Sequence, residues 1–228
     1  MVTFHVITLF PESLESYLNA SIVRRAGERG LISVKCYNPR DFVAVKKGKK
    51  STYADRRVDN RPYGGGPGMV MEALPIIKAI DSAIGKKLKN DASKKKVKIV
   101  FFSPAGKLFS NPIADSYKKF TDIVLICGRY EGIDARVVKA FKTEAISIGP
   151  YTLTGGELPA MVLIDSITRR LPGVLGHDAS IEELRVASPD VYTRPEVLEF
   201  KGKRYKVPKI LLSGHHAKMD QWKLKKKL

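Results

Sequence analysis

A chain of 228 residues, 43% hydrophobic and 28% charged, has material for one sizeable core, or one core with a small appendage, and is not a chain disordered throughout. Lysine and arginine outnumber the acids 41 to 23, a formal charge of +18, and cluster at 46–57, 86–98 and 201–227; such a field gathers a polyanion, nucleic acid first, with a solvated basic surface as the plainer alternative. Only Cys36 and Cys127 are present, each inside an apolar run, which argues against a disulfide framework or thiolate metal site and predicts two buried, reduced thiols.

The N-terminal stretch lacks a basic n-region, and no apolar run approaches the roughly 20 residues that span a bilayer, so a cytoplasmic protein without membrane contact is expected. Residues 3–9 form a β-branched apolar run and read as a strand. Pro11 suits a first helical turn, and Leu14, Leu18, Ile22 and Val23 give one helix with a single apolar face that stops at Gly30. Residues 31–37 read as a second strand. From 38 to 68 the periodicity gives way to basic and glycine-rich sequence ending DNRPYGGGPGM. Its glycines follow a charged loop and not a strand, no GxGxxG spacing is present, and GKKST lacks the upstream glycine of a P-loop. The run reads as an ordered recognition loop stiffened by Pro62 and Pro67, whose bare backbone can press its amides on a phosphate or base; a flexible linker is the alternative.

Residues 71–84 read as a helix with Ala73, Leu74, Ile77, Ile80 and Ile84 on one side, followed by a lysine-rich loop. A strand over 97–102 ends at SPAG (103–106), a short helix covers 111–120, and a strand over 123–127 ends at Gly128. Asp134 caps a helix to about Phe141, and a strand over 145–148 breaks at Gly149-Pro150. After a turn rich in Gly and Thr (151–156) the chain restarts as an apolar helix carrying Leu158, Met161, Val162, Ile164 and Ile167. This alternation predicts an α/β fold, a mainly parallel sheet with helices on both faces. Three successive strands end in glycine-containing loops, SPAG, GRYEG and GPYTLTGG, which parallel strands bring to one edge, where open α/β sheets bind ligands. A tight turn without a ligand is the other reading of the last loop taken alone.

Beyond the helix ending near Leu171, residues 172–190 are rich in turn formers and carboxylates and read as an interdomain linker between domains at 1–171 and 191–228. The last domain holds a hairpin (197–207), an apolar run (210–212), SGHH and a basic helix with Met219, Trp222 and Leu224. It is too small for a core of its own without packing on the first domain or on a second subunit.

ITLFPE (7–12), RPYGGGPGMVM (61–71), SPAG, CGRYEGID (127–134), SIGPYTLTGGELPAMVLIDSITR (147–169), PGVLG (172–176), YTRPEV (192–197) and LLSGHH (211–216), in this order, resemble the bacterial tRNA (guanine-N1)-methyltransferases of the knotted SPOUT class. The resemblance covers nearly the whole chain. It implies transfer of the methyl of S-adenosylmethionine to N1 of the guanine immediately 3′ of the anticodon, tRNA position 37. It further implies a homodimer with its active site between subunits, dependence on Mg2+, a deep trefoil knot and a small, mostly helical C-terminal domain that binds the anticodon arm. Ordinary topology rules would not propose the knot.

The chemistry asks for a base to take the guanine N1 proton and a cation to face charge on O6. By the resemblance Arg169 supplies the cation. The base is a linker carboxylate: the Asp-Ser or Glu-Ser pair of the family is missing from HDASIEELRV, and Glu183 is the best register, then Glu182, with Asp178 third. Glu131 corresponds to the carboxylate near the methionine and the metal. Backbone groups of Gly128 and of Ile148, Gly149, Pro150, Tyr151, Thr152 and Leu153 are expected to hold adenine and ribose, with Phe102, Tyr130, Gly155 and Gly156 shaping the pocket. For RNA, the resemblance points to Arg61 with Gly64, Gly65 and Gly66, and to His215 and His216. A SPOUT enzyme acting on a ribose hydroxyl or ribosomal base, and a non-catalytic RNA-binding relative, are the competing readings.

Overall fold

The structure, a computed structural model, describes residues 1–44, 52, 54–175 and 190–225. Contacts divide the chain into two units, Met1–Val174 and Leu175–Leu228.

In the first unit β1 (Val2–Ile7) leads through α1 (Glu12–Leu18) and α2 (Ser21–Glu28) to β2 (Ile32–Tyr37). The single helix expected here is two, because Ala20 is extended (φ −116, ψ 148) and Ser21 takes φ 47. Leu14, Leu18 and Ile22 keep their i, i+4 spacing across that corner, so periodicity alone does not register it. The glycine-rich segment closes into a hairpin in which β3 (Asp59–Asn60) pairs antiparallel with β4 (Val70–Met71). In α3 (Ala73–Leu88) the buried face is Ile76, Ala79, Ile80 and Ile84; Leu74, expected on it, is 60% exposed. The lysine-rich stretch forms the last turn of α3 and the short α4 (Asp91–Lys94), where the Asn90 side chain accepts from the Ser93 N–H.

β5 (Val97–Leu108) runs through SPAG instead of ending at it: Phe102 and Lys107 both pair with Ile146, and 103–106 are looped out between them. There follow α5 (Asn111–Tyr117), β6 (Asp122–Ile126), α6 (Ala135–Phe141), β7 (Glu144–Ser147) and α7 (Glu157–Thr168). The Asp134 side chain accepts from the Arg136 N–H and caps α6 as expected.

The five-stranded sheet has the order β2-β1-β6-β5-β7, every neighbouring pair parallel. Its side chains divide by the period of two. Ile123 and Leu125 of the fully buried β6 enter one core with Leu14, Val23, Ile113 and Leu163, whereas Val124 and Ile126 enter a second with Ile76, Ile80 and Val137. Thus α1, α2, α5 and α7 cover one face, α3 and α6 the other. Cys127 is buried, but Cys36 is exposed on the edge strand β2, which corrects the expectation of two buried thiols. On α7, Leu158 and Val162 are 56% and 44% exposed.

The second unit holds an antiparallel hairpin, β8 (Val197–Phe200) with β9 (Lys203–Lys206), then α8 (Lys209–Leu212) and α9 (His216–Lys225). The Tyr192 and Trp222 rings lie 6.3 Å apart, yet no described residue from 190 to 224 is buried. Among the described residues no helix is long and apolar enough to cross a membrane.

Candidate functional site

The loops at the carboxyl ends of β5, β6 and β7 surround a cavity of about 280 Å³. Phe102, Gly128, Tyr130, Glu131, Ile148, Gly149, Tyr151, Thr152, Leu153, Gly155 and Gly156 line it, whereas Pro150 is exposed and lies outside the lining. Ser103, Arg129 and Ser147 also line it and were not singled out in the sequence. Parallel pairing of β5 with both β6 and β7 brings the three loops together.

Local hydrogen bonds and close backbone approach fix the loop shapes. Ser147 Oγ donates to the Gly149 carbonyl (3.0 Å) and receives the Gly149 N–H (3.3 Å), turning the chain out of β7. The Tyr151 hydroxyl donates to the Ile148 carbonyl. Across the cavity the Gly156 N–H donates to the Gly128 carbonyl at 3.1 Å, and Gly155 bridges Arg129. A Cβ at Gly156 would stand 2.5 Å from Cys127 Cα, so the two loops can touch only through glycine.

Behind this contact sits a polar network. Glu157, the first residue of α7, is 4% exposed; its carboxylate accepts from the Thr8 hydroxyl at 2.7 Å and pairs with Arg129 Nη2 at 3.0 Å. The Arg129 guanidinium also donates to the Thr154 carbonyl and lies 4.5 Å from the Phe10 ring centroid. ITLFPE, GRYEG and TGGELPA are thereby joined through side chains. Burial pushes the neighbouring Cys127 thiol well above its ordinary pKa, so it stays protonated and is no nucleophile.

The β3–β4 hairpin is strapped to the rim. The Glu131 N–H donates to Met69 O (3.0 Å), the Met71 N–H to Gly132 O (3.0 Å), the Asp134 N–H to Met71 O (2.9 Å), and the Arg129 N–H to Met71 Sδ (3.3 Å). Gly68, at φ +89, lies so close that a Cβ there would be 2.7 Å from Glu131 Oε1. Gly64, Gly65 and Gly66 all have positive φ, Tyr63 projects fully into solvent, and Arg61, Gly65 and Gly66 line an open groove on the hairpin. Glu131 and the glycine-rich loop expected to meet RNA therefore come together at one edge of the cavity.

Arg169 does not join them within one chain. It is the half-buried C-cap of α7, its N–H bonded to the Asp165 carbonyl, at the end of the helix remote from Gly156. At 1.5 Å per residue the two ends are about 18 Å apart. Glu182, Glu183 and Asp178 lie outside the described residues. His215 and His216 are exposed in the second unit, where the His215 N–H donates to Ser213 Oγ. Among the described residues no three His, Cys, Asp or Glu side chains form a group that could hold a metal, so Glu131 is not part of a preformed metal cage there.

The family model described as tRNA (Guanine-1)-methyltransferase TrmD matches residues 2–228. The chain is 43% identical over 224 residues to the tRNA (guanine-N(1)-)-methyltransferase of Clostridioides difficile (strain 630), covering 96% of this chain and 90% of that protein. It is 44% identical over 227 residues to the protein of the same name from Yersinia enterocolitica, covering 98% and 85%. The crystal structure of tRNA (m1G37) methyltransferase from Aquifex aeolicus superposes with a TM-score of 0.75 at 35% identity, over 98% of this chain and 88% of that one. With a family model matched from end to end and relatives of this identity over nearly its whole length, the chain belongs to the TrmD family of tRNA (guanine-N1)-methyltransferases.

Proposed function

We propose that the protein transfers the methyl group of S-adenosylmethionine to N1 of the guanine immediately 3′ of the tRNA anticodon, position 37. The observation that carries this is the glycine-walled cavity with the glycine hairpin strapped to its rim through Glu131. The cavity fits the cofactor. Gly128, Gly155 and Gly156 let the cavity walls pack closely behind it, and the loop from Ile148 to Leu153 offers backbone groups for a flat base. Bound there, S-adenosylmethionine supplies a methyl group already activated on sulfonium.

The protein's remaining tasks are alignment, proton removal and charge stabilisation. Arg61 and the hairpin glycines receive the target guanine or its neighbour, turned out of a single-stranded loop at lower cost than from a duplex. Glu183, with Glu182 and then Asp178 as alternatives, takes the N1 proton. Arg169 faces the charge that appears on O6. The roughly 18 Å of α7 between Arg169 and Gly156 supports a homodimer in which one subunit's Arg169 serves the partner's cavity, and exposed Leu158 and Val162 on the same helix are apolar surface for that contact. Residues 1–171 serve as the methyltransferase domain, 172–190 as the linker carrying the base, and 191–228, with His215 and His216, as the mostly helical part gripping the anticodon arm.

The knot belongs to the same proposal. Its support is the tight passage of backbone at Gly106, where a Cβ would stand 2.6 Å from Ile146 N, and at Gly156 against Cys127. Magnesium would have Glu131 as its candidate carboxylate, a sparse donor set that Mg2+ accepts, and would supply positive charge beside the substrate. The cytoplasm, where tRNA is modified, is the compartment of this reading.

The test is transfer of labelled methyl from S-adenosylmethionine to an unmodified tRNA transcript with guanine 3′ of the anticodon, beside one with adenine there. Label on the guanine transcript alone is expected, and its loss on chelation would add the metal. No label on either, with tRNA still bound, would replace the proposal with a non-catalytic RNA-binding relative.

A further inference from the structure

We propose that the sheet edge opposite the cavity is a second RNA-contact surface, a lysine patch of Lys86, Lys89, Lys94, Lys95, Lys96 and Lys119 that takes backbone phosphates of the tRNA away from the target nucleotide. It rests on the reading above only in taking the polyanion to be tRNA.

Two stretches separate in sequence build the patch. The end of α3 turns into α4 through the Asn90 N–H to Lys87 O bond (3.3 Å) and the Asn90 cap, which folds 86–96 into a compact corner. The Thr121 and Asp122 N–H groups then both donate to the Lys96 carbonyl, at 2.9 and 3.3 Å, setting Lys118 and Lys119 beside it. All six patch lysines are exposed. From this edge β5 and β6 run parallel toward the cavity, paired from Val97–Asp122 to Phe101–Ile126. At about 3.3 Å per residue that span separates the patch from the cavity by roughly 15 Å.

The charge there is not balanced locally. The nearby acids are engaged by other lysines: Asp122 by Lys87 (2.6 Å), Asp115 by Lys118 (2.8 Å) and Glu144 by Lys98. The six patch lysines make no ion pair among the described residues, and Asp91 is the one acid in the sequence from 86 to 98. Mutual repulsion of so many like charges is relieved by a polyanion. The residue types also select the kind of partner. Protein interfaces favour arginine and aromatic anchors and disfavour lysine, whereas this corner has no arginine and none of the chain's exposed large hydrophobics. Flexible ammonium groups without a fixed fork suit phosphates, which position an RNA without reading its sequence.

The experiment uses the full-length chain carrying Lys89→Gln, Lys94→Gln, Lys95→Gln and Lys96→Gln together. Dissociation constants for an unmodified tRNA transcript are measured against salt, beside S-adenosylmethionine affinity and thermal melting. If each lysine meets one phosphate, the slope of log affinity on log salt falls by about 3, and tRNA binding weakens at least about tenfold at low salt. Cofactor affinity and melting stay as in the parent. An unchanged slope overturns the proposal, as does a loss of tRNA binding matched by loss of cofactor binding or melting temperature. If the parent transfers no methyl while the slope still falls, the reading of the activity fails and the patch stands.

Discussion

Arg129 Nη2 and Glu157 Oε2 meet at 3.0 Å beneath the contact between the GRYEG and TGG loops, with the carboxylate side chain 5% exposed and the guanidinium 24% exposed. The pair holds one wall of the cavity against the other, because Arg129 follows Gly128 and Glu157 follows Gly156, the residues whose backbones join the two loops. Removing one partner leaves the other charge poorly solvated. Glu157→Ala is expected to cost about 3 kcal/mol in denaturant unfolding, and Glu157→Gln, which keeps an acceptor for Thr8, about half that. Each also weakens S-adenosylmethionine binding, measured by calorimetry. A double-mutant cycle with Arg129→Ala measures the coupling; a coupling near zero would remove the pair from the account of the cavity.

Three glycines are expected to respond to alanine in three ways. At Gly156 the added Cβ meets backbone, 2.5 Å from Cys127 Cα, and nothing can give cheaply; a loss of about 1–3 kcal/mol and at least tenfold weaker cofactor binding follow. At Gly68 the obstacle is the flexible Glu131 side chain, so the main cost is the φ of +89, of order 1 kcal/mol, felt at the rim more than in stability. Gly27 lies in α2 with nothing within 4 Å of its Cβ position, and Gly27→Ala is expected to stabilise by about 0.5–1 kcal/mol. Thermal melts of the three variants with parallel cofactor titrations separate the cases.

Strand and helix order were legible because burial on two faces writes a period onto the chain, as Ile123 to Ile126 show by alternating between the two cores. The carboxyl-edge loops could be grouped from the parallel order alone. Less was legible where a feature depends on contact between distant residues. The corner at Ala20 preserves apolar spacing, the course of β5 through SPAG is set by Ile146 on another strand, and Leu74 is exposed because Ile76 and Ile80 turn α3 toward the core. Arg129 and Glu157 carried no signal of their own in the sequence. The two lie 28 residues apart, and Thr8 is 149 residues from Glu157, separations that no local pattern encodes.

A second buried polar group gives a pH prediction. His5 Nε2 lies 3.0 Å from Asp122 Oδ1 and Nδ1 lies 3.2 Å from the Tyr37 hydroxyl, an arrangement suited to a neutral ring that donates to the carboxylate and accepts from the phenol. Burial holds the His5 pKa below its ordinary 6.5, outweighing the pull of Asp122. Burial acts to raise the Asp122 pKa, but hydrogen bonds from Lys87, His5 and Thr121 outweigh it and hold the carboxyl below 3.8. For both groups the unfolded chain binds the proton more readily, so stability rises with pH. The His5 contribution is complete above pH 6.5 and is lost as pH falls from there through the depressed native pKa; the Asp122 contribution is lost below 3.8. Unfolding free energies of the parent are expected to fall between pH 7 and 5. His5→Gln is expected to be less stable at pH 7.5, by about 1–2 kcal/mol, with a flatter profile over that interval. A parallel profile would assign the slope to other groups.

The separation of Arg169 from Gly156 along α7 makes the intersubunit site testable by complementation. Arg169→Ala and Glu183→Gln are each expected to lower kcat by about 10² or more while S-adenosylmethionine still binds; Arg169 is not among the residues that line the cavity of its own chain. Gly156→Ala is the converse, defective in the cavity with Arg169 intact. If one subunit's arginine serves the other's cavity, a mixed dimer of Arg169→Ala and Gly156→Ala subunits contains one complete site, and mixing two inactive proteins restores methyl transfer. If each chain uses its own Arg169, every site in the mixture lacks one part and activity stays absent. Wild-type turnover from Glu183→Gln would move the base to Glu182 or Asp178, which the same assay then distinguishes one substitution at a time.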